Sequence, residues 1–259
     1  MTLLVGVLCQ DGVVIGADSA ATMGAMGIHT VRQSVTKVTI VNGRALIATS
    51  GPVGLGQRLA GEFAEILEQD KIPKGMRPHK AMQLIRGTFL PHIAAEMQAA
   101  QVAAPVVGPQ IAQASAISDT LLAVCLDDGR PRLFRFDQQG SPEEATEDIP
   151  FVCLGSGEII ADPFMAFLRG LFWEQGSLPT LAEGQFATIW TLEQAIAVSP
   201  AFIAHPSRVW VLSTSGARCA ARQVPEDELQ DDLQAVTEAR RVLGEWRRGK
   251  SMMPAPPPP

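Results

Sequence analysis

The chain has 259 residues, a net charge of −6, and 46% hydrophobic against 19% charged residues. That length suits one large domain or two small ones with a substantial core, and the balance excludes wholesale disorder. The negative charge argues against non-specific nucleic-acid binding, and no apolar run reaches the ~18 residues of a membrane span.

The first segment reads MTLLVGVLCQDGVVIGADSAATMG. Leu3–Leu8 and Val13–Asp18 are strand-like and flank Asp11-Gly12, a strong hairpin signal. Val35–Val41 and Arg44–Thr49 repeat the pattern around Asn42-Gly43. The first fifty residues therefore predict two β-hairpins, expected to begin at one edge of the same sheet, with Gly51-Pro52 breaking the second.

Leu55, Leu59, Phe63, Ile66 and Leu67 recur at helical spacing and predict a helix over 54–70. A second helix is expected over 78–101, with Met82, Ile85, Phe89, Ile93 and Met97 on one face and Pro91 bending or breaking it. Residues 103–115 read as a loop or frayed end. Strands return at Thr120–Leu126 and Arg132–Phe136, and a short one over 150–155 leads into Gly155-Ser156-Gly157. Helices near Ile159–Trp173 and Leu181–Val198, then strands at Arg208–Ser213 and Arg218–Val224, complete residues 1–224. A separate helix is expected over 225–248, acidic at its start and basic at its end as the helix dipole favours. The remainder, 249–259, reads as an extended proline-rich tail.

Blocks of strands alternate with pairs of helices, which disfavours a doubly wound parallel sheet. The order fits an α+β, four-layer αββα sandwich of two antiparallel sheets between helix layers. Cys9, Cys125, Cys153 and Cys219 form no CxxC pair and no metal-ligand spacing. Without a secretion signal they read as buried thiols of a reducing compartment, here the cytoplasm.

The glycine-rich GPVGLG (51–56) lacks the dinucleotide spacing, and the four histidines form no HExxH. A Gly-x-Ser-x-Gly elbow is also missing from the sequence, so serine-triad and zinc chemistry are disfavoured. No metal site or cofactor is implied. Thr2 remains. Methionine before a small residue is normally removed, which would give Thr2 a free α-amine with a reference pKa of about 7.7–8. Such an amine can take the hydroxyl proton of its own side chain, so nucleophile and base share one residue.

The ordered set of Thr2 through Gly24, Lys37 in TKVTI, Gly51 in TSGPVG and Gly155-Ser156-Gly157 resembles the β-type subunits of proteasomes over roughly residues 2–215. The resemblance implies the N-terminal nucleophile hydrolase fold and a threonine-type endopeptidase that encloses its own chamber. Thr2 resembles the nucleophile, Lys37 the cation that lowers its effective pKa, and Asp18 the carboxylate that orients the lysine. Gly51 resembles the residue whose backbone N–H meets the oxyanion, and Ser156 the serine that hydrogen-bonds the terminal amine. Ala21, Val35, Thr39, Thr49 and Val53 would line a pocket for a small or medium apolar side chain. Polypeptide substrates, self-association into stacked rings and an ATP-dependent unfoldase are the partners the resemblance implies, and the helices over 54–70 and 78–101 the ring-to-ring surface.

Two features depart from the family pattern. The family places an aspartate, and a serine three residues on, just before the strand at 208–213, yet no acid occurs between Glu193 and Glu226. Ser199 is the nearest polar replacement. The C-terminal helix and the start at Thr2 without a propeptide resemble bacterial single-gene homologues, and the Gly-Ser-Gly loop favours the β-proteasome-homologue type over the ancestral-β-subunit type. A catalytically weak ring-forming homologue and a small-molecule amidase of the wider N-terminal nucleophile class stay open as alternatives.

Overall fold

In the computed structural model, described over residues 2–25, 28–72, 76–126, 129–174, 176–199, 203–215 and 218–249, successive strand side chains point to opposite faces, and the central strands are buried on both. The first sheet holds β1 (Leu4–Leu8), β2 (Gly12–Ala17), β10 (Phe151–Leu154), β11 (Arg208–Ser215) and β12 (Arg218–Gln223), in the order β10-β1-β2-β11-β12. The second runs β5 (Val38–Val41), β6 (Ala45–Ser50), β7 (Asp119–Cys125), β8 (Pro131–Phe136) and β9 (Pro142–Glu144), in sequence order. Every pairing is antiparallel.

Leu4, Ile15, Ala17 and Trp210 of the first sheet meet Leu46, Ala48, Leu121 and Leu133 of the second in one dry layer. Their neighbours along the second sheet's strands, Val41 and Ile47 with Leu122 and Phe134, turn outward. There they pack under α1 (Val53–Glu68) and α2 (Pro78–Val107). The first sheet's outer face carries α4 (Glu158–Phe172) and α5 (Leu181–Val198). Gly16 lets α5 close in, since a Cβ there would overlap Thr188 and Leu192. A capping box between Thr180 and Glu183 starts α5. The four-layer αββα sandwich is thus present, with an apolar interior between its sheets.

Four expectations change. The two early hairpins lie in different sheets, because Leu4 and Ala17 face the sandwich interior from one side while Leu46 and Ala48 face it from the other. Between them an unexpected two-stranded ribbon, β3 (Ala20–Ala25) with β4 (Ile28–Ser34), extends the chain. Pro91 does not break α2. The proline is solvent-exposed, so water can serve the carbonyl it leaves unpaired, while Phe89 and Ile93 anchor both sides in the core. Residues 103–115 are not a loop: α2 continues to Val107, and α3 (Pro109–Ala116) starts after Gly108.

The cysteines also differ from expectation. Closure of the sandwich brings the end of β7 against β12, and Cys125 and Cys219 form a disulfide with Cα atoms 6.2 Å apart. Cys9 and Cys153 are free and buried, and burial pushes both thiols up, away from the thiolate form that reacts. The chain forms two compact units that divide after Val224. The second unit is the helix α6 (Glu226–Arg247), whose first turn carries Glu226, Asp227 and Glu228 and whose Arg241 pairs with Glu238 and Glu245. The proline-rich tail lies outside the described residues.

Candidate active site

Asp18 follows the last residue of β2 and is 1% exposed. A carboxylate this dry is tolerated only if its lone pairs are filled. Oδ1 accepts from the Lys37 ammonium at 2.6 Å and the Leu3 N–H at 2.8 Å. Oδ2 accepts from the N–H groups of Ala20 at 3.0 Å and Ala204 at 3.3 Å. Three backbone segments and one cation therefore fix a single carboxylate. Lys37 is itself 7% exposed and sits just before β5, not within the strand expected over 35–41. It reaches Asp18 across the gap between the sheets, so the pair spans both layers.

Thr2 lies directly before Leu3, whose N–H shares Asp18 Oδ1 with Lys37. The Thr2 N–H donates to Ser156 Oγ at 3.2 Å, and the Thr2 carbonyl accepts from Ser156 Oγ and the Gly157 N–H, each at 3.4 Å. Thr2, Asp18, Lys37 and Ser156 are thus brought together from four separate places in the chain.

The loop holding Thr2 requires Gly155. Its φ is +95°, and a Cβ would overlap the Thr2 carbonyl. The Gly-Ser-Gly motif is visible in the sequence, but the task of its first glycine is visible only in the fold. The same Cβ would stand 3.0 Å from Ser50 Oγ, which places Gly51, the next residue, beside the Thr2 loop. Gly51 has φ +135°, and a Cβ there would come within 2.6 Å of the Ile117 carbonyl. The crowding that demands glycine at this bend comes from the Ile117–Ser118 backbone.

The pocket residues are less gathered. Thr39 and Thr49 lie on the face of the second sheet that α1 covers, with Thr49 Oγ1 3.3 Å from Thr120 Oγ1. Val53, in the first turn of α1, is 68% exposed. Val35 is half-buried and donates its N–H to the Ser19 carbonyl. Ala21 lies in β3 opposite Gln33, and its side chain is outside the described residues. Ser199 caps the C-terminal end of α5, where its carbonyl accepts the Ile203 N–H.

The sequence is similar to proteins of one family. The proteasome subunit profile matches residues 2–168, which contain the loop at 155–157 and all five proposed catalytic positions. The chain belongs to the proteasome subunit family. A proteasome subunit beta of Methanobrevibacter smithii is 28% identical over 162 residues, covering 62% of this chain and 65% of that protein. The match thus leaves about a third of the relative's length uncovered.

Solved structures share the proteasome-type fold over nearly the whole chain. The Anbu (ancestral beta-subunit) protein of Yersinia bercovieri superposes with TM-score 0.65 at 14% identity, covering 98% of this chain and 99% of that one. The helical assembly of the Anbu complex from Pseudomonas aeruginosa gives TM-score 0.67 at 17% identity, covering 98% of each chain. No helix among the described residues is long and apolar enough to cross a membrane.

Proposed function

We propose that this family member is a threonine-type endopeptidase working in a self-compartmentalising homo-oligomer, with Thr2 as N-terminal nucleophile once Met1 is removed. One observation carries the proposal. Asp18 Oδ1 is shared by the Lys37 ammonium and the N–H of the residue after Thr2, so a buried cation is held beside the Thr2 backbone. In a partly desolvated site that charge favours the alkoxide over the hydroxyl. The freed Thr2 amine, kept near Ser156 Oγ, would accept the hydroxyl proton as Thr2 Oγ1 attacks the peptide carbonyl. The Gly51 N–H would stabilise the oxyanion, and the amine would return its proton to the leaving nitrogen. Ala21, Val35, Thr39, Thr49 and Val53 would contact the substrate side chain before the cleaved bond.

Self-association is supported by the assembled Anbu complex and by an exposed apolar stripe on α4, with Ile159, Phe167 and Leu171 between 51% and 82% exposed. Assignment to the β-proteasome-homologue type rests on Gly155-Ser156-Gly157; the Anbu structures, at 14–17% identity with this chain, do not favour one type over the other. The alternative, a ring-forming homologue with weak or no catalysis, draws on the absence of any acid between Glu193 and Glu226. Polypeptide substrates and an ATP-dependent unfoldase belong to the first reading.

N-terminal sequencing and labelling with a peptide epoxyketone, which needs both an amine and a β-hydroxyl to close its ring, separate the two readings. Removal of Met1 and labelling of Thr2 are expected. Thr2→Ala and Lys37→Ala should abolish peptide hydrolysis with assembly retained, and Lys37→Arg should not restore it, because a guanidinium is no compact point charge. Retained or acetylated Met1, or wild-type turnover in Lys37→Ala, would sink the peptidase mechanism.

A further inference from the structure

The segment that lacks the family's aspartate is nonetheless built into the site through its backbone. Ala204 donates its N–H to Asp18 Oδ2 at 3.3 Å and accepts the Ser19 N–H at 3.0 Å, and the Pro206 carbonyl accepts Ser19 Oγ at 2.5 Å. Residues 204–206 therefore form one wall of the Asp18 pocket. Something must hold that wall, since Ala204 and Pro206 contribute only main-chain groups to it.

The holder is Glu193 on α5. Its Oε1 accepts from Ser207 Oγ at 2.8 Å and lies 3.4 Å from His205 Nδ1, with the Glu193 side chain 17% exposed. Two side chains that bracket Pro206 thus converge on one carboxylate oxygen. A helix in the outer layer is tied to the strip of backbone that orients Asp18, and through Asp18 to Lys37 and the Leu3 N–H.

We infer that Glu193 is a positioning residue for the Thr2 site, acting through His205 and Ser207 on the Ala204–Asp18 hydrogen bond. It supplies, from the helix before the segment, the carboxylate that the segment itself lacks. This rests on the peptidase reading for its kinetic consequence, but its structural consequence does not.

The test compares Glu193→Ala, Glu193→Gln and Ser207→Ala in the full-length protein. Misplacement on the ångström scale can cost about 100-fold in rate, so Glu193→Ala and Ser207→Ala should each lower kcat by about 10- to 100-fold with KM within about twofold. The double variant Glu193→Ala/Ser207→Ala should be no worse than Glu193→Ala alone, because the Glu193 change already removes the Ser207 contact. Glu193→Gln keeps a carbonyl oxygen for Ser207 Oγ and should recover most of the rate, which a merely structural loss of charge would not allow. Crystal structures of the variants supply a readout without activity: in Glu193→Ala the Ala204 N to Asp18 Oδ2 separation should open beyond hydrogen-bonding range.

If the parent shows no turnover, the peptidase reading fails while the crystallographic separation still decides the role of Glu193. Wild-type kcat in Glu193→Ala, or an unchanged separation there and in Ser207→Ala, overturns the inference.

Discussion

Two charged clusters flank the Thr2 loop, and they are built differently. Asp18 and Lys37 are 0% and 7% exposed at their side chains, and the carboxylate takes three backbone N–H donors besides the ammonium. Arg135 and Asp119 pair at 3.1 Å with side chains 29% and 14% exposed, and Glu158, at the start of α4, shares their field. The first cluster is held by main chain from three segments and is preorganised, with little water to screen it. The second is held by side chains near solvent, so its charges are screened and adjustable. Burial of charge is tolerable where backbone groups converge, and those same groups fix its direction.

The sharpest way to break the comparison is Asp18→Ala. It strands the Lys37 ammonium and three N–H groups in a dry site, and breaking a buried pair costs about 3–5 kcal/mol. Denaturant unfolding should show that loss, and Asp18→Asn should recover little because its amide N–H groups meet donors on one side.

Gly155→Ala should rank second. It forces a side chain into φ +95° and into the Thr2 carbonyl. Strained backbone of this kind costs about 1–3 kcal/mol, and epoxyketone labelling of Thr2 should disappear even where the fold survives.

Arg135→Ala tests the second cluster and should cost about 1 kcal/mol, as pairs within reach of water do, with the loss shrinking in high salt. A loss as large as that of Asp18→Ala would show that the two clusters do not differ in the way their exposure indicates.

Glu158→Gln should have the smallest effect, and its sign depends on pH. Burial raises the Glu158 carboxyl above its usual range, with Asp162 and Asp119 adding to the rise and Arg135 opposing it. A raised folded pKa means that proton binding to Glu158 favours the fold in acid, a contribution lost as pH rises through the folded value. Urea midpoints should therefore show the Gln variant slightly more stable than the parent at pH 7, with the gain fading below about pH 4. The gain should widen in an Arg135→Ala background, where the opposing charge is gone.

Much of the molecule was legible in the sequence, because short apolar runs, turn residues and helical spacing are local properties of the chain. The continuous apolar runs LLVGVL and GVVIGA reveal their strands, but both faces of those strands are buried, so only packing decides that Leu4 and Ile15 meet the opposite sheet. The Asp11-Gly12 and Asn42-Gly43 turns mark their hairpins. The family pattern carried Thr2, Asp18, Lys37 and Ser156, which the structure does bring together, whereas the pocket residues were named without a contact that gathers them. Pro91 misled because its local cost to a helix is visible in the sequence, whereas the anchoring of Phe89 and Ile93 in the core on either side of it is not.

What tertiary structure alone decided is how distant segments meet. It put the two early hairpins in opposite sheets, so that Lys37 crosses between layers to reach Asp18. It joined Cys125 to Cys219 across 94 residues, and it set Ala204 against Asp18 with Glu193 behind it. Glu193 stood at the edge of a gap in which the sequence shows no acid, and nothing local distinguishes it from any other helix carboxylate. Such residues act through contacts far apart in the chain, and those contacts exist only once the sandwich has closed and the backbone groups have found their partners.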